Sequence, residues 1–354
     1  MRGPICAAMA TLAAAPLPRA RPNAIANWLF AVAALVFAMI VVGGITRLTE
    51  SGLSITRWEP ITGTLPPVGE AAWRDAFDLY RQTPQYQKVN TGMTLSEFKN
   101  IYFWEYLHRL LGRVIGLAFA LPLLWFAVKR AIPQGYGWKL VALLLLGGTQ
   151  GAIGWWMVAS GLIDRPEVSH IRLAVHLLTA FTIFGCLIWV AMDLRRLAVD
   201  AGSLPARLPT LAIWVLSLLA LQFLFGAYVA GLEAGYAYSS WPLMGDQWFP
   251  GGAPMLEPFL RNFVDNPIVV QFVHRWLAFV FAGAAFLLAR KAWVEGRPIE
   301  GAVLILAVLA QILLGIFTLL TGVDIHVATA HQGMAALLLA AVLVAAHRLG
   351  ERGK

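Results

Sequence analysis

Cysteine is nearly absent: Cys6, close to the N-terminus, and Cys186, inside an apolar run, are the only two in 354 residues. No segment between the apolar runs holds even one, which excludes a disulfide in or between loops. Charge is scarce as well. Asp, Glu, Lys and Arg make up 13% of the chain against 59% apolar residues, a balance that excludes an ordinary soluble domain and makes the lipid bilayer the solvent. Acids are the scarcer sign, 19 against 27 bases. The resulting net charge of +8 would suit nucleic acid, but its placement argues for a membrane instead.

Apolar stretches long enough to cross about 30 Å of hydrocarbon fall at 25–46, 104–128, 138–159, 171–192, 210–231, 267–289, 299–321 and 326–347. Basic residues gather on one side of this ladder: Arg2, Arg19 and Arg21 before the first span, Lys129, Arg130 and Lys139 after the second, Arg195, Arg196 and Arg207 after the fourth, Arg290, Lys291 and Arg297 after the sixth, and Arg348, Arg352 and Lys354 at the end. By the positive-inside rule both termini are then cytoplasmic, or on the matrix side in an organelle, and no nucleic-acid partner is called for. Residues 1–27 read as a cytoplasmic tail, with a short transit peptide as the alternative, and 348–354 as a second tail. The opposite face carries loop 47–101, where Arg47, Arg57, Arg74, Arg81, Lys88 and Lys99 are balanced by Glu50, Glu59, Glu70, Asp75, Asp78 and Glu97. That balance suggests a small folded cap.

The chain repeats itself. The first span ends GGITRLTESGLS and runs to Trp58-Glu59-Pro60, whereas the fifth ends GAYVAGLEAGYA and runs to Trp241-Pro242, with Glu50 and Glu233 at the same offset from the tryptophans. YFWEYLHRLLG in the second span answers IVVQFVHRWLA in the sixth. Gln150 precedes Gly154 in the third as Gln311 precedes Gly315 in the seventh, and His176 and His331 stand near the starts of the fourth and eighth. An all-α membrane fold follows: eight transmembrane helices as two tandem, pseudo-twofold-related four-helix bundles, 28–195 and 210–347, joined by a cytoplasmic linker 196–209.

Ionisable groups inside a span are costly and so are functional candidates. His108, His176, His274 and His331 each lie about five to seven residues inside the outer end of an even-numbered span, all at a depth of ~10 Å. Taken singly, each could be an interhelical hydrogen-bonding residue. Four at one depth, paired by the repeat as His108 with His176 and His274 with His331, suit axial ligation of two heme irons. Zinc is the competing metal, but it wants its ligands on one centre, with cysteine or carboxylate help. Arg109 and Arg275 follow the first histidine of each half and could pair with heme propionates or with lipid phosphate; Arg113 is a similar case one turn deeper. Three residues before the histidine the first half has Glu105 and the second Gln271. A carboxylate there can take a proton or stabilise a cation, an amide can only hydrogen-bond, so the first half reads as reactive and the second as a cofactor site, unless Glu105 is only a partner for Arg109 or Arg172. His170 and His326 read as solvated interfacial residues, with a place at a heme edge as the alternative, and His347 as a carbonyl cap of the last helix.

Two other classes remain in view. A diheme electron carrier between quinol and a partner needs hemes stacked across the bilayer, hence a second histidine several turns deeper on the same helices, and none is there. A repeat-built transporter would use the histidines as a proton or substrate path, but leaves their equal depth and the Glu105/Gln271 difference unexplained.

From Asn27 to Arg348 the sequence resembles the heme A synthase family, through GGITRLTESGLSITRWEP, Glu105-x-x-His108-Arg109, His176, GAYVAGLEAGYAYSSWP, Gln271-x-x-His274-Arg275 and His331-Gln332. The resemblance implies heme O, the substrate, between His108 and His176, a heme b cofactor between His274 and His331, and Glu105 acting where the C8 methyl of heme O becomes the formyl of heme A by successive hydroxylations. It implies a multi-pass protein of the bacterial inner membrane, or of the mitochondrial inner membrane. As partners it implies heme O synthase, cytochrome oxidase assembly factors and an electron acceptor, and it leaves homo-oligomerisation open. Cysteine pairs found in the outer loops of some relatives are missing, so a thiol role proposed for them has no counterpart in this sequence, which looks like the long-first-loop, cysteine-free branch of proteobacteria and mitochondria.

Overall fold

A computed structural model describes residues 20–59, 62–163 and 165–351. Eight helices in it are long and apolar enough to cross a membrane: α1 (Pro22–Leu48), α2 (Leu95–Val128), α3 (Gly137–Ala159), α4 (His170–Val199), α5 (Thr210–Gly231), α6 (Pro267–Val294), α7 (Pro298–Leu320) and α8 (Ile325–Leu349). Met244 and Gln247 form an isolated bridge, and no longer strand occurs among the described residues. The protein is a multi-pass, all-helical membrane protein.

Most helices outrun the apolar stretches that announce them, because caps rather than hydropathy fix helix ends. α2 begins nine residues before its apolar stretch, where Thr94 and Glu97 form a reciprocal capping box that satisfies the first free N–H groups. At about 1.5 Å per residue its 34 residues exceed the hydrocarbon thickness, so its first turns rise above the membrane. α1 starts at Pro22, a proline at the first helical position, and thereby takes in part of the stretch read as a tail; residues 1–19 and 352–354 of the two tails lie outside the described residues.

The raised end of α2 carries the first outer loop. Helices Glu70–Tyr80 and Pro84–Lys88 fold over it around Tyr80 and Phe98, both 0% exposed, with the rings stacked at 5.3 Å and Phe77 at 5.0 Å from Phe98. Burial raises the Tyr80 phenol above its ordinary pKa, partly offset by a hydrogen bond from Asn90. Gln85 Nε2 donates to the Glu50 carbonyl at 3.1 Å and so ties the loop to the end of α1. Glu50 and Glu233 both adopt the left-handed conformation, φ 52° and 53°, just past the ends of α1 and α5, so the repeated Glu marks a repeated chain reversal.

Packing runs through α1, α4 and α8. α1 packs on α2, α4 and α8; α4 also meets α3, α5 and α8; α6 packs against α5, α7 and α8. The α1–α8 contact thus answers the α4–α5 contact. The halves are not packed alike: α1 packs more extensively on α4 than α5 on α8, α2 less on α3 than α6 on α7, and α6 packs against α8 whereas among the described residues α2 and α4 do not approach each other to that extent. Small residues carry the close crossings. A Cβ at Gly185 of α4 would lie 3.1 Å from Leu343 of α8, and one at Gly44 of α1 would lie 3.1 Å from the Gln332 amide of α8, which itself donates to the Ile40 carbonyl at 2.7 Å.

Candidate functional site: two histidine pairs

Each of the four histidines presses its ring on a glycine of the preceding helix. A Cβ at Gly43 would stand 3.3 Å from His108 Nε2, at Gly154 2.9 Å from His176 Cε1, at Gly226 3.0 Å from His274 Cε1, and at Gly315 2.9 Å from His331 Cε1. Only glycine lets ring and helix backbone meet at this range. His108 lies within electrostatic reach of His176, and His274 of His331. All four are partly rather than fully buried.

Three of the rings are also clasped by a glutamine four residues before the glycine. Gln222 Nε2 lies 3.1 Å from His274 Nδ1 and donates to the His274 carbonyl at 3.0 Å. Gln150 Nε2 donates to the His176 carbonyl at 3.0 Å and lies 3.5 Å from the ring; Gln311 lies 3.5 Å from the His331 ring. Gln222 was missed in the sequence, although Gln222-x-x-x-Gly226 repeats the spacing of the other two.

The donor set fits heme. His176 Nδ1 and His331 Nδ1 are buried without a hydrogen-bond partner, so each of these imidazoles keeps one nitrogen uncommitted and available to a ligand. Among the described residues no three His, Cys, Asp or Glu side chains converge to hold a bare ion. Each pair offers two imidazoles, a donor set that suits an iron already held by a macrocycle.

At the outer rim the halves part. Glu105, 3% exposed, accepts from Ser54 Oγ at 2.7 Å, from the Ile55 N–H at 2.7 Å, and from Arg109 Nε at 3.0 Å and Nη2 at 2.6 Å. Arg109 donates further to the carbonyls of Ile55 at 2.7 Å and Arg57 at 3.0 Å. The second half repeats this frame without the charge: Gln271 Nε2 donates to the Tyr238 carbonyl at 3.0 Å, and Arg275 to those of Tyr238 and Ser240, both at 2.9 Å. Both arginines therefore staple an outer loop over a histidine, and Arg275 keeps one buried nitrogen, Nε, without a partner. Arg113 Nη2 donates to the Glu59 carbonyl at 2.8 Å.

The remaining histidines sort differently. His170 Nε2 meets Asp265 Oδ1 at 3.1 Å, joining the start of α4 to the outer loop of the second half, and His326 is exposed. His347 is no carbonyl cap. It is 0% exposed and its Nε2 lies 3.0 Å from Asp193 Oδ1, with Lys139 Nζ 3.9 Å from the other oxygen, a contact between α4 and α8 that no local pattern announces. Near the outer rim, Arg47 bridges Glu233 at 3.0 Å, and burial, then the Glu233 carboxylate, raises the Glu167 carboxyl above its usual range.

A family model described as cytochrome oxidase assembly protein matches residues 26–343. The chain belongs to this family. Curated relatives agree along nearly the full length: a heme A synthase of Rhizorhabdus wittichii is 56% identical over 345 residues, 96% of this chain and 98% of that protein. A heme A synthase of Sphingopyxis alaskensis is 53% identical over 94% of each chain, and one of Novosphingobium aromaticivorans is 46% identical over 96% of this chain and 100% of its own. The cytochrome oxidase assembly family model ends at residue 343, so it takes in all four paired histidines and Glu105 and stops just short of His347.

Proposed function

We propose that this protein is a heme A synthase, a membrane oxidoreductase that converts the C8 methyl of heme O into the formyl of heme A for cytochrome oxidase. The observation that carries the reading is a repeated site with one chemical difference: two pairs of glycine-seated imidazoles, with an acid beside the first pair and an amide beside the second. In this reading the four-helix half 28–195 holds heme O between His108 and His176, and the half 210–347 holds heme b between His274 and His331. The matching rim frames, Arg109 with Glu105 and Arg275 with Gln271, support that division.

Iron held in these pairs supplies the redox chemistry. The side chains do the rest. The imidazoles fix depth and orientation, and the loops stapled by Arg109 and Arg275 keep water from the outer edge. Glu105, its oxygens already engaged by Ser54, Ile55 and Arg109, acts as a fixed negative charge one turn from His108, aimed at the positive charge that develops when the macrocycle is oxidised. The looser approach of α2 to α4 suits a site that must admit a substrate and release a product. Both termini lie in the cytoplasm of a bacterial inner-membrane protein, since the basic loops lie with them.

The test is pigment extraction with mass analysis of the purified protein and two variants. His331→Ala is expected to lose heme b and keep heme O or A, and His176→Ala the reverse. If both variants lost the same pigment, the division between halves would be wrong.

A further inference from the structure

Inward of the histidines the halves differ again, on the third helix of each. Gly154 of α3 and Gly315 of α7 both seat a histidine, and 11 residues deeper Leu143 and Leu304 are both buried, so the two helices keep one register. Between these marks, on the same face, the second half has Val308 in the core and Ile312 packed against it. The first half has Gly147 and Gly151. Both glycines are exposed, and no described atom lies within 4 Å of where a Cβ would stand on either. The facing helices follow suit: Met334 of α8 packs against the core, and the same step past His176 of α4 gives the smaller Thr179.

Protein interiors are close-packed, so a trench on the inward face of α3 is an exception with a shape. It stays uncovered because α2 packs less on α3 than α6 on α7. At its head His176 keeps a buried Nδ1 without a partner, 3.4 Å from the Cβ position of Gly154. The trench therefore starts at a nitrogen free to bind a ligand and continues from the histidine site rather than standing apart from it.

We propose that Gly147 and Gly151 make room for the isoprenoid tail of heme O, and that Val308 and Ile312 deny such a tail to the second site. The proposal rests on the functional reading above and adds to it the feature that sorts the two hemes. Heme O is heme b with one vinyl group replaced by a hydroxylated farnesyl chain. The propionates of either heme belong at the wet outer rim, because burying an unpaired charge is costly, and the tail springs from the opposite edge, which then faces inward. Gly151 and Gly147 lie about 4.5 and 10 Å inward of Gly154 at 1.5 Å per residue, along the path such a tail takes.

The affinities for two hemes read the trench directly. The purified full chain, its second site already filled, is titrated with heme O and separately with heme b, and the Soret change of the first site gives each Kd. The unaltered chain is expected to prefer heme O, since each buried methylene adds about fourfold in affinity. Gly147→Val combined with Gly151→Ile installs the second half's residues where no described atom stands in the way. This double variant is expected to bind heme O about 10–100-fold more weakly, as exposing about two or three methylenes implies, and heme b as before. Gly148→Ile is the control: its site is equally open but lies about 100° around the helix from Gly147, and both affinities are expected to hold.

Unchanged heme O affinity in the double variant overturns the proposal. So does an equal loss of both hemes, since the ring rather than the tail would then be blocked, or an equal loss of heme O affinity in Gly148→Ile. Loss of a co-purifying phospholipid from the double variant, with both heme affinities intact, overturns it too, because the trench would then house a lipid chain. Failure of the functional reading looks different: heme O then gives no Soret change with the unaltered chain.

Discussion

Glu105→Gln is the substitution with the most to reveal. Glutamine keeps the volume of a side chain that is 3% exposed but offers one acceptor oxygen where the carboxylate has two. Oε2 now receives Ser54 Oγ and the Ile55 N–H, both at 2.7 Å, while Oε1 receives Arg109 at 2.6 Å. Whichever way the amide turns, its NH2 faces one of these donor sets, and a buried donor left unmet costs about 1–3 kcal/mol. Arg109 keeps its bonds to the Ile55 and Arg57 carbonyls, so the loop loosens without coming away and the fold persists. Loss of an aimed charge in a water-poor site costs ~10²–10³ in rate, and heme A formation is expected to fall by that factor, with heme O or a hydroxylated intermediate accumulating. The assay is the ratio of heme O to heme A in extracted pigment, beside limited proteolysis of the outer loop. Ser54→Ala separates charge from docking: it removes one donor and leaves the carboxylate, so heme A formation is expected to drop less than about tenfold. A Glu105→Gln protein that made heme A at the normal rate would refute the reasoning, and a Ser54→Ala protein as impaired as Glu105→Gln would make the carboxylate a loop anchor.

Gly315→Ala puts a methyl 2.9 Å from His331 Cε1 and is expected to displace the ring and bleach the heme b Soret band, read by absorbance; full retention of heme b would show that the ring has room to move. Asp193→Ala strands two donors, the Ala206 N–H at 2.9 Å and His347 Nε2 at 3.0 Å, for about 2–6 kcal/mol at 1–3 each; thermal unfolding in detergent is expected several degrees lower, whereas Asp193→Asn, which keeps an acceptor, stays near the parent. A periplasmic reporter fused after Lys354 is expected to be silent and a cytoplasmic one active, and the reverse would overturn the orientation.

The spans were legible because hydropathy is a one-dimensional signal and lipid enforces it. The four glycine-seated histidines were legible because the sequence repeats, so a shared offset from the start of each apolar stretch could be counted. Gln222 lay open to the same comparison, but its counterpart is Met39, and a position where the repeat is broken does not announce itself as part of the repeat. The rim was half legible. The difference between Glu105 and Gln271 could be seen, yet the arginines spend their donors on backbone carbonyls about 50 residues upstream in the first half and about 35 upstream in the second, and loop carbonyls leave no trace in side-chain patterns. His347 and Asp193, 154 residues apart, meet only through the crossing of α4 and α8, which neither helix encodes locally.

The Gln332–Ile40 bond spans 292 residues, and it sets an order of assembly. α1 enters the bilayer long before α8, so the seat at Gly44 waits for Gln332 until α8 has been made. A chain cut before α8 therefore loses a wall of the first half as well as a glycine-seated histidine of the second. The repeat could be mistaken for two self-sufficient modules in series; the shared wall makes them one closed ring, in which neither site is finished before both are.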